Sequence, residues 1–259
     1  MKPYIFVHMM TSVDGRIDCP MVGQLSTDEY YIALEKFGLC SKLSGRVTAA
    51  LECSALKEEI TIPSGENAIR EESVHVARLS DEYTIITDTC GKLRWASGEA
   101  DGHPLLCITS EKVTEEYLEH LREQGISWIA TGQDHIDLPR AMDILGEQFG
   151  IKQLAVVGGG HICGGFLEAG LVDEISIMVA PGIDGRQGQT AVFDGITDRG
   201  CNPYRLKLKS VEQWDTDIVW LRYTLKNTRS GASCIAVRNS NDFSYNNYYN
   251  SPLKNQHIG

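Results

Sequence analysis

The chain has 259 residues and a formal charge of −11, with 42% of residues hydrophobic and 23% charged, which suits a folded globular chain with a sizeable core. The acidic balance argues against neutralising nucleic-acid phosphates, and no apolar run nears the roughly 18 residues that a membrane helix needs. The N-terminal apolar run is short, meets Asp14 and Arg16, and lacks a small-residue cleavage site; no signal peptide and a cytoplasmic setting are expected. The eight cysteines form no C-x-x-C pair and the seven histidines are dispersed, so reduced thiols and no metal centre are expected.

In chain order, the first predicted strand, 4–10, runs into Thr11-Ser12-Val13-Asp14-Gly15-Arg16. Asp-Gly is turn chemistry, yet the same corner gathers hydroxyls and a carboxylate. Residues 54–80 are polar, contain Pro63 and Gly65, show no sustained period, and read as a surface excursion. Strands are predicted at 83–88 and 104–109. Val113, Tyr117, Leu118 and Leu121 then share a helical face that Gly125 ends. A strand follows at 126–131. Asp137 caps a helix with Pro139 in its first turn and Leu138, Met142, Leu145 and Phe149 facing inward, ended by Gly150. Residues 153–157 read as a strand, 158–160 as a loop, 161–169 as a short helix stopped by Gly170, and 174–181 as another strand. Two late runs, 204–211 and 216–225, alternate with period two and predict an antiparallel pair. Repeated β-α-β order with a late hairpin predicts an α/β fold of three layers, α/β/α, around a mixed, mainly parallel sheet. One domain is expected over 1–226, followed by an Asn/Ser-rich tail, 227–259, read as disordered or loosely docked.

The stretch VVGGGHICGGFLEAGLVDE passes from strand through three glycines into helix. Each glycine costs roughly 0.5–1 kcal/mol relative to alanine in regular structure. Such a run suits a place where main-chain N–H groups must approach an anion at a helix start. It also suits a turn that lets helix and sheet pack closely, a role that fits Gly164 and Gly165. The register misses the G-x-G-x-x-G fingerprint at Cys163, and no Gly-Lys-Ser/Thr follows. His161 reads as a first-turn surface residue.

Ser12-Val13-Asp14-Gly15, Gly45-Arg46-Val47-Thr48 after an early helix, the strand end Asp88-Thr89, and Gly158 through Glu174 occur in an order that resembles one family. The family is that of the reductase domain of the riboflavin-biosynthesis deaminase–reductase, with a dihydrofolate-reductase-like fold, and a stand-alone reductase is expected here. The resemblance covers 4 to about 225, most weakly over 54–80. It implies an NADPH-dependent reductase acting by hydride transfer to a C=N or C=O group of a small heterocyclic substrate, and a homodimer. It places the cofactor's phosphates against Gly158, Gly159, Gly160, His161, Ile162, Cys163, Gly164 and Gly165. Thr11, Thr48, Glu52 and Thr89 are further cofactor contacts by the same resemblance. Asp14 and Ser12 are the candidate catalytic pair, Asp14 binding a substrate polar group or relaying a proton, with Ser12 orienting substrate or nicotinamide. Lys36, in the place of a family arginine, is a candidate for a substrate anion. Arg46 and Lys112 are candidates for the 2′-phosphate.

Departures accompany the matches. The family's glutamate before the glycine turn is Val157 here, D-x-P-x-L is replaced by ECSALKEE, and the zinc-deaminase half is absent. Two other readings remain open at this stage: a catalytically decayed reductase fold serving as a binding or interaction module, and a kinase-like use of the glycine turn, which would need a metal carboxylate pair beside it.

Overall fold

In the computed structural model, which describes residues 1–17, 19–26, 28–53, 56–59, 67–196 and 203–225, strands and helices alternate along the chain. The elements are β1 (Tyr4–Thr11), α1 (Cys19–Val22), α2 (Glu29–Glu35), β2 (Ser41–Gly45), α3 (Arg46–Glu52), β3 (Leu56–Glu59), β4 (Ser73–His75), β5 (Thr84–Thr87), β6 (Leu93–Trp95) and β7 (Glu99–Ala100). They continue as β8 (His103–Thr109), α4 (Glu115–Glu123), β9 (Ser127–Ala130), α5 (Leu138–Gln148), β10 (Gln153–Gly158), α6 (Gly160–Glu168), β11 (Glu174–Val179), β12 (Leu206–Gln213) and β13 (Val219–Leu225). The main sheet has the order β12-β13-β11-β1-β10-β2-β5-β8-β9-β4, with β7 paired to β8. Its centre is parallel from β11 to β9, while β13, β12 and β4 join antiparallel.

Alternation along the strands builds the layers. Val7, Leu43, Ile85 and Ile108 pack with Leu145 of α5 and Phe166 of α6. Their neighbours Ile86, Leu105 and Cys107 join Tyr117 and Leu118 of α4 and Ala49 of α3 on the opposite face. Both faces being covered, the central strands are almost continuously apolar, as parallel strands require. Thr114 caps α4 and Asp137 caps α5, each accepting an N–H three residues on.

Two stretches differ from the sequence reading. Within 54–80, β3 pairs with β6, and β4 forms the sheet edge against β9. β4 has only three residues, and Trp128 holds it by stacking on His75 and donating to Ser73 Oγ, so no periodic pattern announces it. The stretch before Cys53, read only as an early helix ahead of G-x-x-T, also holds the central strand β2 and the helix α3. The chain divides into the units Met1–Lys226 and Asn227–Gly259. The second, where the tail is expected, lies outside the described residues.

Candidate functional site: two clefts at a switch point

β10 and β2 are parallel neighbours, yet α6 leaves β10 toward one face and α3 leaves β2 toward the other. An open α/β sheet leaves a crevice beyond its strand ends where successive helices part in this way. The larger cleft, about 1000 Å³, runs along the start of α6 and is lined by Gly159, Gly160, His161, Ile162, Gly165, Thr48, Arg46, Thr89 and Lys92. A smaller cleft, about 340 Å³, lies between α2, α3 and the sheet, with Met10, Leu34, Ile86, Val157, Lys42 and Tyr30 in its wall. The two share Ile17 and Thr48.

The glycines divide into two jobs. Gly158 has φ +130°, which side chains rarely adopt, and its peptide to Gly159 is cis. Gly159 is extended, and a Cβ there would meet only Thr48 Oγ1 at 3.5 Å. Among the described residues the N–H groups of Gly159, Gly160 and His161 meet no acceptor, and α6 has no side-chain cap. A Cβ on Gly160 or Gly164 would instead lie 2.1 Å from Ala191 O or 2.0 Å from Asp194 O, so these two let the loop after β11 close on α6. Gly165, expected in a packing role, meets only Leu138 Cδ1 at 3.7 Å and lines the larger cleft. Gly45 of G-x-x-T has a packing reason too, because its Cβ would sit 2.7 Å from Ile162 Cγ1.

Of the other expected cofactor positions, Thr48, Thr89, His161 and Ile162 line the larger cleft with Gly159, Gly160 and Gly165. Glu52 lines the smaller one instead. Thr11, Gly158, Cys163 and Gly164 line neither. Thr11 is buried and donates to Ser12 O at 2.9 Å, and Cys163 is fully buried in the core.

The expected catalytic corner has another occupation. Ser12 Oγ donates to Asp14 Oδ1 at 2.6 Å and accepts the Arg16 N–H at 3.1 Å. The N–H groups of Asp184 and Gly185 donate to the two oxygens of Asp14, each at 3.0 Å. The Ser12 hydroxyl first, then these N–H groups, hold the Asp14 carboxyl well below the ordinary range. Ser12 and Asp14 therefore line neither cleft; they pin the β1 turn to the loop after β11. Lys36 likewise faces away: its Nζ pairs with Glu212 at 3.2 Å and lies over Trp214 and Trp220. Lys112 pairs with Asp134 at 2.9 Å and is absent from the lining, whereas Arg46 is present.

Sequence reasoning missed Lys42, Lys92 and Tyr30. Reading Ser41-Lys42-Leu43-Ser44-Gly45 as a strand would have put Lys42 and Ser44 on one face and Leu43 in the core. The close of the glycine stretch is structural. Glu174 is fully buried and accepts from Arg222 Nε, Lys209 Nζ and Tyr4 OH at 2.5, 2.6 and 2.7 Å. Burial pushes its carboxyl up, but these donors outweigh it and the net displacement is downward. Among the described residues, no group of three His, Cys, Asp or Glu side chains could hold a metal ion, and no helix is long and apolar enough to cross a membrane.

A mainly parallel sheet with α6 and α3 parting over paired clefts is an α/β domain of the dihydrofolate-reductase-like type. The family described as the RibD C-terminal domain matches residues 82–220, more than half of the chain, and the chain belongs to that family. Curated relatives include the 2,5-diamino-6-ribosylamino-4(3H)-pyrimidinone 5′-phosphate reductases of Methanothermobacter thermautotrophicus and Aquifex aeolicus. The first is 23% identical over 231 residues, covering 87% of this chain and 100% of the relative. The second is 24% identical over 202 residues, covering 75% and 84%. Similar solved structures include a pyrimidine reductase-like protein from Corynebacterium diphtheriae, with TM-score 0.64, 17% identity and coverage of 87% and 92%. The riboflavin biosynthesis reductase Rib7 of Saccharomyces cerevisiae has TM-score 0.57, 17% identity and coverage of 87% and 90%.

Proposed function

We propose that this chain is an NADPH-dependent oxidoreductase that reduces a C=N or C=O group of a small heterocyclic substrate; the names of its pyrimidinone phosphate reductase relatives support the reductase part of this reading. The observation that carries the reading is the open main chain of Gly159 to His161 at the start of α6, facing the larger cleft. A helix start alone supplies about 0.3–1 kcal/mol toward an anion at an exposed site, so close N–H contacts must do most of the holding. The bare Cα of Gly159 permits that approach, and Lys92 and Arg46 add positive charge in the same cleft, favouring a 2′-phosphate. When bound, the dinucleotide supplies the hydride. Thr48 and Ile17, common to both clefts, stand where its reactive end meets the substrate, and Thr48 Oγ1 is placed to orient either one. Met10, Leu34, Ile86 and Val157 exclude water from the substrate side. A homodimer through the exposed edge strand β12, which presents Leu208 and Val211, completes the reading, and light scattering in solution tests it.

Fluorescence titration tests the central claim: NADPH should bind, its nicotinamide emission should rise, and NADH should bind more weakly. Lys92→Ala should narrow that preference. Absence of NADPH binding would leave the decayed-scaffold reading, which Val157 in the substrate wall and the fully engaged Asp14 carboxylate favour.

A further inference from the structure

Lys42 stands in the middle of β2, paired in register with Ala155 of β10 and Thr84 of β5. A central parallel strand covered on both faces is normally apolar, because an unpaired ammonium there loses hydration without compensation. Here the covering layer opens into the smaller cleft, and Lys42, Ser44, Thr84 and Ile86 form its floor. Among the described residues Lys42 Nζ has no ion pair or hydrogen bond. Glu52 and Asp101, the acids of the same lining, are exposed, and neither forms an ion pair with it. The remaining floor and wall are hydroxyl or apolar, so Lys42 is the one half-buried charge of the lining, the two acids being exposed to solvent that screens them.

We propose that Lys42 is the specificity-determining residue of this cleft and selects a small planar ring that carries an anionic arm, a carboxylate or a phosphate. The inference rests on reading the smaller cleft as the substrate side. Lys42 precedes Gly45 by three residues, roughly 10 Å along the strand, and the clefts meet beyond Gly45 at Thr48. The anion therefore sits a ring and a linker away from the reacting end, and Lys42 positions the substrate without touching the reacting atoms. A neutral ring would leave the ammonium partly desolvated and unanswered, and a cationic one would be repelled.

The test uses the full chain, with and without NADP⁺, and isothermal titration of uridine 5′-phosphate, orotate, uridine and uracil. Uridine 5′-phosphate against uridine reads a phosphate arm; orotate against uracil reads a carboxylate. At least one anionic probe should bind about tenfold or more tighter than its neutral partner. Lys42→Met should erase that advantage without changing the neutral probe or the melting temperature, and Lys42→Arg should retain most of it. Equal affinity for charged and neutral probes, or an advantage that survives in Lys42→Met, overturns the proposal. NADPH titration of the same samples separates the two readings. NADPH binding with no Lys42 effect sinks the anion site alone. A Lys42 effect without NADPH binding sinks the reductase reading.

Discussion

Two corners at the same end of the sheet invite comparison, Ser12–Gly15 after β1 and Gly158–Gly160 after β10. Both hold a glycine at positive φ and both follow a buried parallel strand. At the first, hydroxyl, carboxylate and N–H groups satisfy one another and the loop at 184–185. At the second, consecutive N–H groups are left open toward a cleft. Polar richness alone marks neither corner as a binding site. What matters is whether the donors and acceptors are already used, since an engaged group has nothing left for a ligand.

The largest effect should come from the packing half of the glycine run. Gly164→Val drives a side chain into Asp194 O and should cost roughly 3 kcal/mol in urea unfolding. The loop after β11, whose N–H groups hold Asp14, should loosen with it.

The engaged side has a pH signature. His8, on β1, donates from Nε2 to Tyr30 O at 3.0 Å and lies 2.8 Å from the Ser176 hydroxyl, which accepts from Trp220 Nε1. Burial disfavours the charged ring, and in the neutral imidazole Nδ1 accepts from that hydroxyl. Burial pushes its pKa down to about 4. Because the unfolded side chain titrates near 6.5 and binds the proton first, this stabilisation is complete above that value and is lost as pH falls toward 4. Roughly 2 kcal/mol should disappear between pH 7 and pH 5, and His8→Gln should flatten that slope.

Gly159→Val should do the converse of the Gly164 substitution. NADPH affinity should fall about tenfold or more while unfolding stability stays within about 0.5 kcal/mol. Normal cofactor affinity in that variant would remove the phosphate assignment.

The smallest effect is expected from Asp14→Asn. NADPH affinity should stay within about twofold, and the variant should lose a modest stabilisation that wild type shows above the ordinary aspartate range and surrenders in acid. A collapse of hydride transfer with unchanged stability would return Asp14 to the reacting centre and abolish the contrast between the corners.

Legibility in the sequence followed the range of the interactions. α5 was readable because its cap, first-turn proline and inward positions lie within a dozen residues. The β12–β13 pair was readable from its alternation. β4 was not, because three residues paired through the backbone leave no period. At the site, the glycine run was legible as a backbone suited to an anion, whereas Thr48 and Thr89 were reached only through the family resemblance. Lys42 was hidden inside a strand that went unread, and Lys36 looked available until Glu212 and two tryptophans from the far end of the chain occupied it.

By itself the sequence determined the alternating α/β order, the mainly parallel sheet and the glycine-rich strand–helix junction, because each is written in short-range period, capping and backbone freedom. Tertiary structure alone decided which glycines face a cleft and which face a loop, and which charges stay unpaired. Those outcomes depend on atoms far away in the chain, such as Asp194 against Gly164 or Asp184 against Asp14, and no local pattern carries them.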